Sequence, residues 1–240
     1  MLPDHALDLF AFALFAIVWL FYEQILKRLR RGRHVNSDMR VLRGAWMRAM
    51  ASRDNRIMDG QLLGNALHSA SFFASSNLIL IAAVAGVLFG GQGAWKQVQG
   101  LEVLAPVPRY LFEAKLGLVL VCLARGLLDF IWSIRQLNYC LAAMGATPEP
   151  LPVAKQPVYG EVLARLLNPA LGAFNSGVRG YYFALAAAAW LFGPWAFMTA
   201  TLGAVGLLFW RQRSSPSAVA IHDFRKLLEA KDPTQPAPPL

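Results

Sequence analysis

Charge and cysteine are both scarce in this sequence. Asp, Glu, Lys and Arg make up 15% of the chain, against roughly 25% in ordinary soluble domains. Much of the surface must therefore face something other than water. The two cysteines, Cys122 and Cys140, lie in or just after one apolar stretch and form no CxxC pair, so no disulfide framework is expected. The four histidines, His5, His34, His68 and His222, are far apart in the chain. Zincin, zinc-finger, P-loop and nucleophile-elbow patterns are all absent. Neither a metal nor a cofactor is expected, and the chain does not read as an enzyme. A lipid-modifying reaction would have only His68 with Asp129 or Asp59 to draw on as acid and base.

What is present is apolar length. Hydrophobic residues make up 56% of the 240, and the mean hydropathy is +0.41. A first apolar run extends from about Leu7 to Leu26 and lacks the basic start and cleavage site of a signal peptide. A second runs from about Leu62 to Phe89, ending at Gly90-Gly91-Gln92-Gly93, and a third from Tyr110 to about Ile134, after Pro106 and Pro108. The last, Tyr181 to Trp210, would be about 45 Å long as one helix, against a hydrocarbon core of about 30 Å. Gly193-Pro194 sits near its middle, where a break is expected. It reads either as one kinked span or as two short ones.

Charge distinguishes these. Of the 23 Lys and Arg, ten lie between Lys27 and Arg56, while the first ten residues carry Asp4 and Asp8 but no basic group. By the positive-inside rule the N-terminus is then outside and the Lys27–Arg56 segment cytoplasmic. The Gly90–Arg109 loop has only Lys96 and Arg109, whereas Arg135, Lys155, Arg165 and Arg179 follow the third span. Two final spans keep Arg211, Arg213, Arg225, Lys226 and Lys231 inside; one would put them outside. The expected fold is thus an all-α, polytopic integral membrane bundle of about five helices, with the C-terminus in. Trp95, Trp190 and Trp195 fall near the outer interface and Trp132 and Trp210 near the inner one, as aromatic belts require.

The membrane domain is expected over residues 1–213, with a basic amphipathic cytoplasmic segment at 27–60. A cytoplasmic, partly disordered tail at 214–240 ends in Asp232–Leu240 (DPTQPAPPL). Asn36 is placed to cap a helix from about Ser37 to Arg53. Met39, Leu42, Trp46 and Met50 would form its apolar face, lying on the membrane or packed on protein. The basic segment suits anionic lipid headgroups rather than nucleic acid.

Polar residues within the spans mark the interior. Lys115, Cys122, Arg125, Asp129, Ser133 and Gln136 share one face of the third span. An Arg or Asp near a span centre costs roughly 2.5–3.5 kcal/mol, so that face should meet protein or a water-filled cavity. Gln61, Asn65, His68 and Ser75 form a stripe on the second span. His68 and Asp129 both lie about six residues, roughly 9 Å, from the cytoplasmic end, and Glu23 sits at the inner end of the first span. A cluster of Glu23, His68, Arg125 and Asp129 is expected, as a proton or ion pathway or as an internally neutralised network. Gly172, Ser176, Gly180, Ala184 and Ala188 repeat every four residues, as do Ala196, Ala200 and Ala204. Such ladders permit close helix approach, either between the last two spans or between subunits of a homo-oligomer.

Four segments carry a family likeness: RIMDGQLLGN (Arg56–Asn65), SASFFASSN (Ser69–Asn77), DFIWSIRQLNYC (Asp129–Cys140) and FNSGVRGYYFALAAAAWLFGPW (Phe174–Trp195). Together they resemble domain-of-unknown-function family five-nine-nine, multi-pass membrane proteins of bacteria and plants, over roughly Leu7 to Ser217. The resemblance implies a multi-pass membrane protein and no particular activity; the expected location is a bacterial cytoplasmic (inner) membrane. Asp59, Asp129, Arg135 and Arg179 are expected near the cytoplasmic face, as salt bridges or a vestibule. Phe72-Phe73 and Tyr181-Tyr182 read as core aromatics sooner than as a gate. The leading expectation is a small oligomeric channel or transporter for an ion or polar solute, lined by spans two and three. The alternative is a scaffold binding other membrane proteins or anionic lipid.

Overall fold

The computed structural model describes residues 2–28, 35–91, 93, 95 and 107–230; within the first helix the described side chains are those of residues 6–22 and 24. Among the described residues every regular element is helical. They are α1 (Leu2–Arg28), α2 (Val35–Ala51), α3 (Ile57–Phe89), α4 (Arg109–Gly145), α5 (Gln156–Ala188), α6 (Pro194–Arg213) and α7 (Pro216–Glu229). Single 3-10 turns occupy Val153–Lys155 and Ala189–Phe192.

Proline and glycine punctuate the chain where their backbone limits demand it. Pro108 stands just before α4, and α5, α6 and α7 each have proline in the first turn, where its missing N–H is no loss. Gly193 adopts φ 116° between the 3-10 turn and α6, a conformation that side-chain-bearing residues avoid. The long apolar stretch is therefore two helices. Trp190 stacks on Phe197 across the turn, at 4.8 Å between ring centres.

Two helices, α3 and α4, are long and apolar enough to cross a membrane, and α1 contains a shorter apolar stretch, Ala6–Tyr22. Only 11% of the most apolar window of α3 is buried. A face that large and apolar would aggregate in water.

Two cores hold the bundle together. One gathers α1, α4, α5 and α6 around Phe15, which touches Phe183 and Phe197. The other gathers α2, α3, α4 and α5 around Met47, Met50, Leu63, Leu137, Leu163 and Leu167. The second core decides between the two expectations for α2 in favour of packing on protein. Met47 and Met50 are buried against α5, with Trp46 half-buried beside them, because Gly160 lets the α2 backbone approach at Arg48; a Cβ there would stand 2.7 Å from Arg48 Cα. The helix also starts at Val35, one residue ahead of the expected Asn36 cap.

The tail from residue 214 opens with an ordered helix. Pro216–Glu229 is a helix seated on α2, while Asp232–Leu240 lies outside the described residues. The small-residue ladder also has a different partner. Gly180 packs on α4, where its Cβ would meet Gly126 Cα at 3.1 Å, so the close approach joins α5 to α4 and not to α6. Gly172, in the same ladder, faces open space.

Candidate functional site

The close approach of α4 and α5 leaves room beside it. Where Gly126 backs onto Gly177 and Gly180, α1 lies alongside and a cavity of about 520 Å³ opens among the three helices. Trp19, Leu20, Tyr22 and Gln24 line it from α1, Val121, Arg125, Gly126 and Asp129 from α4, and Ser176, Arg179, Gly180 and Phe183 from α5. Arg125 Nε lies 3.5 Å from Asp129 Oδ2. Arg179 donates to Ser176 Oγ, and its guanidinium stands 5.7 Å from the centre of the Tyr22 ring. The charged groups among the described lining residues are Arg125, Asp129 and Arg179. Arginine side chains offer planar paired donors of a kind that suits an oxyanion.

The structure thus brings together Arg125, Asp129 and Arg179 from the expected set, but not His68. Asn65, His68 and Ser75, with Gln61, are exposed on α3 and point away from the packed interior. The second-span stripe therefore does not meet the α4 stripe. That α4 stripe is itself divided. Ser133 is buried and donates to Ala170 O at 2.8 Å. Lys115 is fully buried, its Nζ without a hydrogen bond and 5.5 Å from the centre of the Trp190 ring. Trp190 in turn donates Nε1–H to Asp8 at 2.6 Å. Arg135 is exposed and donates to Tyr139 Oη at 3.1 Å. The side chain of Glu23 lies outside the described residues.

Asp59 belongs to a separate fastening. It is fully buried, accepting from Trp46 Nε1 at 2.7 Å and from Arg53. Arg56 beside it donates to the carbonyls of Thr147 and Pro148, at 2.7 and 3.0 Å. A second fastening holds α7: buried Asp38 pairs with Arg225 at 2.7 Å and with His222 at 3.2 Å. The Asp38 hydrogen bond, followed by that of Glu229, raises the Arg225 pKa further above its ordinary value. Arg43, by contrast, is lowered by burial and then by neighbouring Arg40.

Sequence reasoning missed Tyr22, Gln24 and Ser176 as cavity residues, and Asn77 as an internal strut. Buried Asn77 donates Nδ2–H to Leu123 O at 2.9 Å, tying α3 to α4. An Asn deep within an apolar span was the available signal. Of the paired aromatics, Phe73 and Tyr181 join Phe130 and Phe174 in a cluster, with Tyr181 Oη donating to Phe73 O at 2.9 Å. All four paired aromatics, Phe72, Phe73, Tyr181 and Tyr182, also line an outward apolar groove of about 620 Å³.

Among the described residues no group of three His, Cys, Asp or Glu is placed to hold a metal ion. No curated protein and no solved structure matches the chain. The model of the family described as "Protein of unknown function, DUF599" matches residues 10–217, most of the length. With this match added to an all-helical fold that carries two apolar, membrane-length helices, the chain belongs to the DUF599 family.

Proposed function

We propose that the protein is a polytopic membrane protein that binds and passes a small anion or polar solute through the cavity between α1, α4 and α5. The observation that carries this reading is the convergence of Arg125, Asp129 and Arg179 on one cavity of about 520 Å³. Charged groups on apolar helices are expensive in a bilayer, and where retained they commonly mark solute paths. In this reading α1, α3, α4, the C-terminal part of α5 and α6 form five spans, with the N-terminus outside and the C-terminus in the cytoplasm. The basic α2 and its neighbours then face anionic headgroups. Asp129 acts as the internal counter-ion: it neutralises Arg125 when the cavity is empty and yields to an entering anion.

Flux in liposomes tests this. Wild type and Asp129→Asn are compared at equal incorporation, with chloride, phosphate and protons under an imposed potential. The expected outcome is anion flux in wild type and a several-fold change in the variant. Identical flux in both would remove the cavity from the path.

A second reading, assembly into homo-oligomers, is favoured by the apolar groove lined by Phe72, Ile79, Leu80, Val178 and Leu185. Ile79→Cys should cross-link copies in native membranes if that groove is an interface; a monomeric product under oxidation would count against it.

A further inference from the structure

The mouth of the cavity has a shape of its own. Its most open lining residues come in two pairs one helical turn apart: Leu20 and Gln24 on α1, and Val121 and Arg125 on α4. Leu20 is 63% and Val121 52% exposed, and the Arg125 side chain is 66% exposed. The two helices run in the same direction here. Asp8 and Lys115 both meet Trp190 at one level, and Tyr22 and Asp129 line the cavity further along. The mouth is therefore a slot between parallel helices, apolar at its Leu20–Val121 end and polar at its Gln24–Arg125 end. Behind the polar end stand Arg179 and Ser176. A slot graded along its length also suits a ligand that is polar at one end and apolar at the other.

We infer that the cavity takes an amphiphile: a phosphate- or carboxylate-headed lipid enters sideways, its oxyanion on Arg125 and Arg179 and its chain leaving past Leu20 and Val121. The inference rests on the anion-binding reading above and names the class of its ligand. The guanidiniums supply paired donors to the headgroup. The chain stays in hydrocarbon throughout, so entry requires no desolvation of apolar surface. Ser176 and Gln24 add neutral polar contacts at the headgroup end. The same oxyanion chemistry is offered by free phosphate, and the two sources are separable by experiment.

Trp19 lines the cavity and reports on it. The purified protein is reconstituted in phosphatidylcholine vesicles, and Trp19 emission is taken as the signal lost in Trp19→Phe. Phosphatidic acid with brominated chains should quench this signal several-fold more than equally brominated phosphatidylcholine. Arg125→Gln should bring the quenching down to the phosphatidylcholine level. Val121→Phe, which narrows the slot and leaves the charges intact, should do the same and guards against a folding defect in the arginine variant. Equal quenching by the two lipids would overturn the inference. A Trp19 response to inorganic phosphate with no preference for phosphatidic acid would overturn it too, while leaving the anion cavity standing. No response to either anion, together with absent flux, would remove both readings.

Discussion

Asp59 and Asn77 are both polar and both enclosed, yet they bear different loads. Asn77 spends one amide hydrogen on the Leu123 carbonyl and so ties α3 to α4. Asp59 gathers an indole and a guanidinium from the α2 end of the chain. Replacing Asp59 by Ala leaves the half-buried Trp46 N–H without its acceptor, a loss of about 1 kcal/mol. Thermal unfolding in detergent should show a lower midpoint for Asp59→Ala, and Asp59→Asn, which keeps an acceptor, should fall between the two. At this scale the sequence was half legible. Helical spacing told which residues share a face, so Arg125 and Asp129 were rightly placed together. Spacing does not tell what a face looks at, and hence His68 and Asn65, on an equally regular stripe, turned out to point away from the bundle. Ser133 shows the same limit from the other side: its hydroxyl serves a neighbouring carbonyl, which no spacing distinguishes from a pathway residue.

Helices meet where small residues allow it, and α5 uses this on two faces. One takes α4 at Gly126 and Gly180; the other takes α2 at Gly160. Gly160→Leu should push α2 off α5, because the added atoms meet backbone at Arg48 and a helix axis must give way. Limited proteolysis between α2 and α3 should then speed up, with the α4–α5 contact unchanged. The Asp38 pairing makes a parallel prediction for α7. Arg225→Ala removes one partner of a buried carboxylate, and cleavage within Pro216–Glu229 should rise while the cavity's Trp19 signal stays the same. The ladders were visible in the sequence but their partner was not, since Gly172 to Ala188 fits any neighbouring small face. The α2 helix stayed undecided in the sequence for a related reason. An apolar face suited to lipid is chemically the same as one suited to Leu163 and Leu167.

For the whole molecule, the proposed topology is testable with the cysteines already present. Cys122 and Cys140 are buried, so the wild-type protein in intact cells should resist a membrane-impermeant maleimide. Trp195→Cys, at the exposed start of α6, should be labelled from outside, and Ser217→Cys only after the membrane is opened. Labelling of Ser217→Cys in sealed cells would reverse or reduce the span count. Composition was enough for an all-helical chain and for the break at Gly193, whose backbone geometry only glycine tolerates comfortably. It could not rank the helices by contact, because in a mostly apolar chain hydrophobicity no longer separates inside from outside.

The contacts of α1 also set an order of events during synthesis. Its aromatic partners, Phe183, Trp190 and Phe197, leave the ribosome long after it does. On the proposed topology α1 is thus made well before these partners, and its contacts with them wait until the α5–α6 hairpin arrives. A nascent chain stopped before that hairpin would hold the cavity's α1 wall in no fixed place, however well α2 to α4 had already assembled.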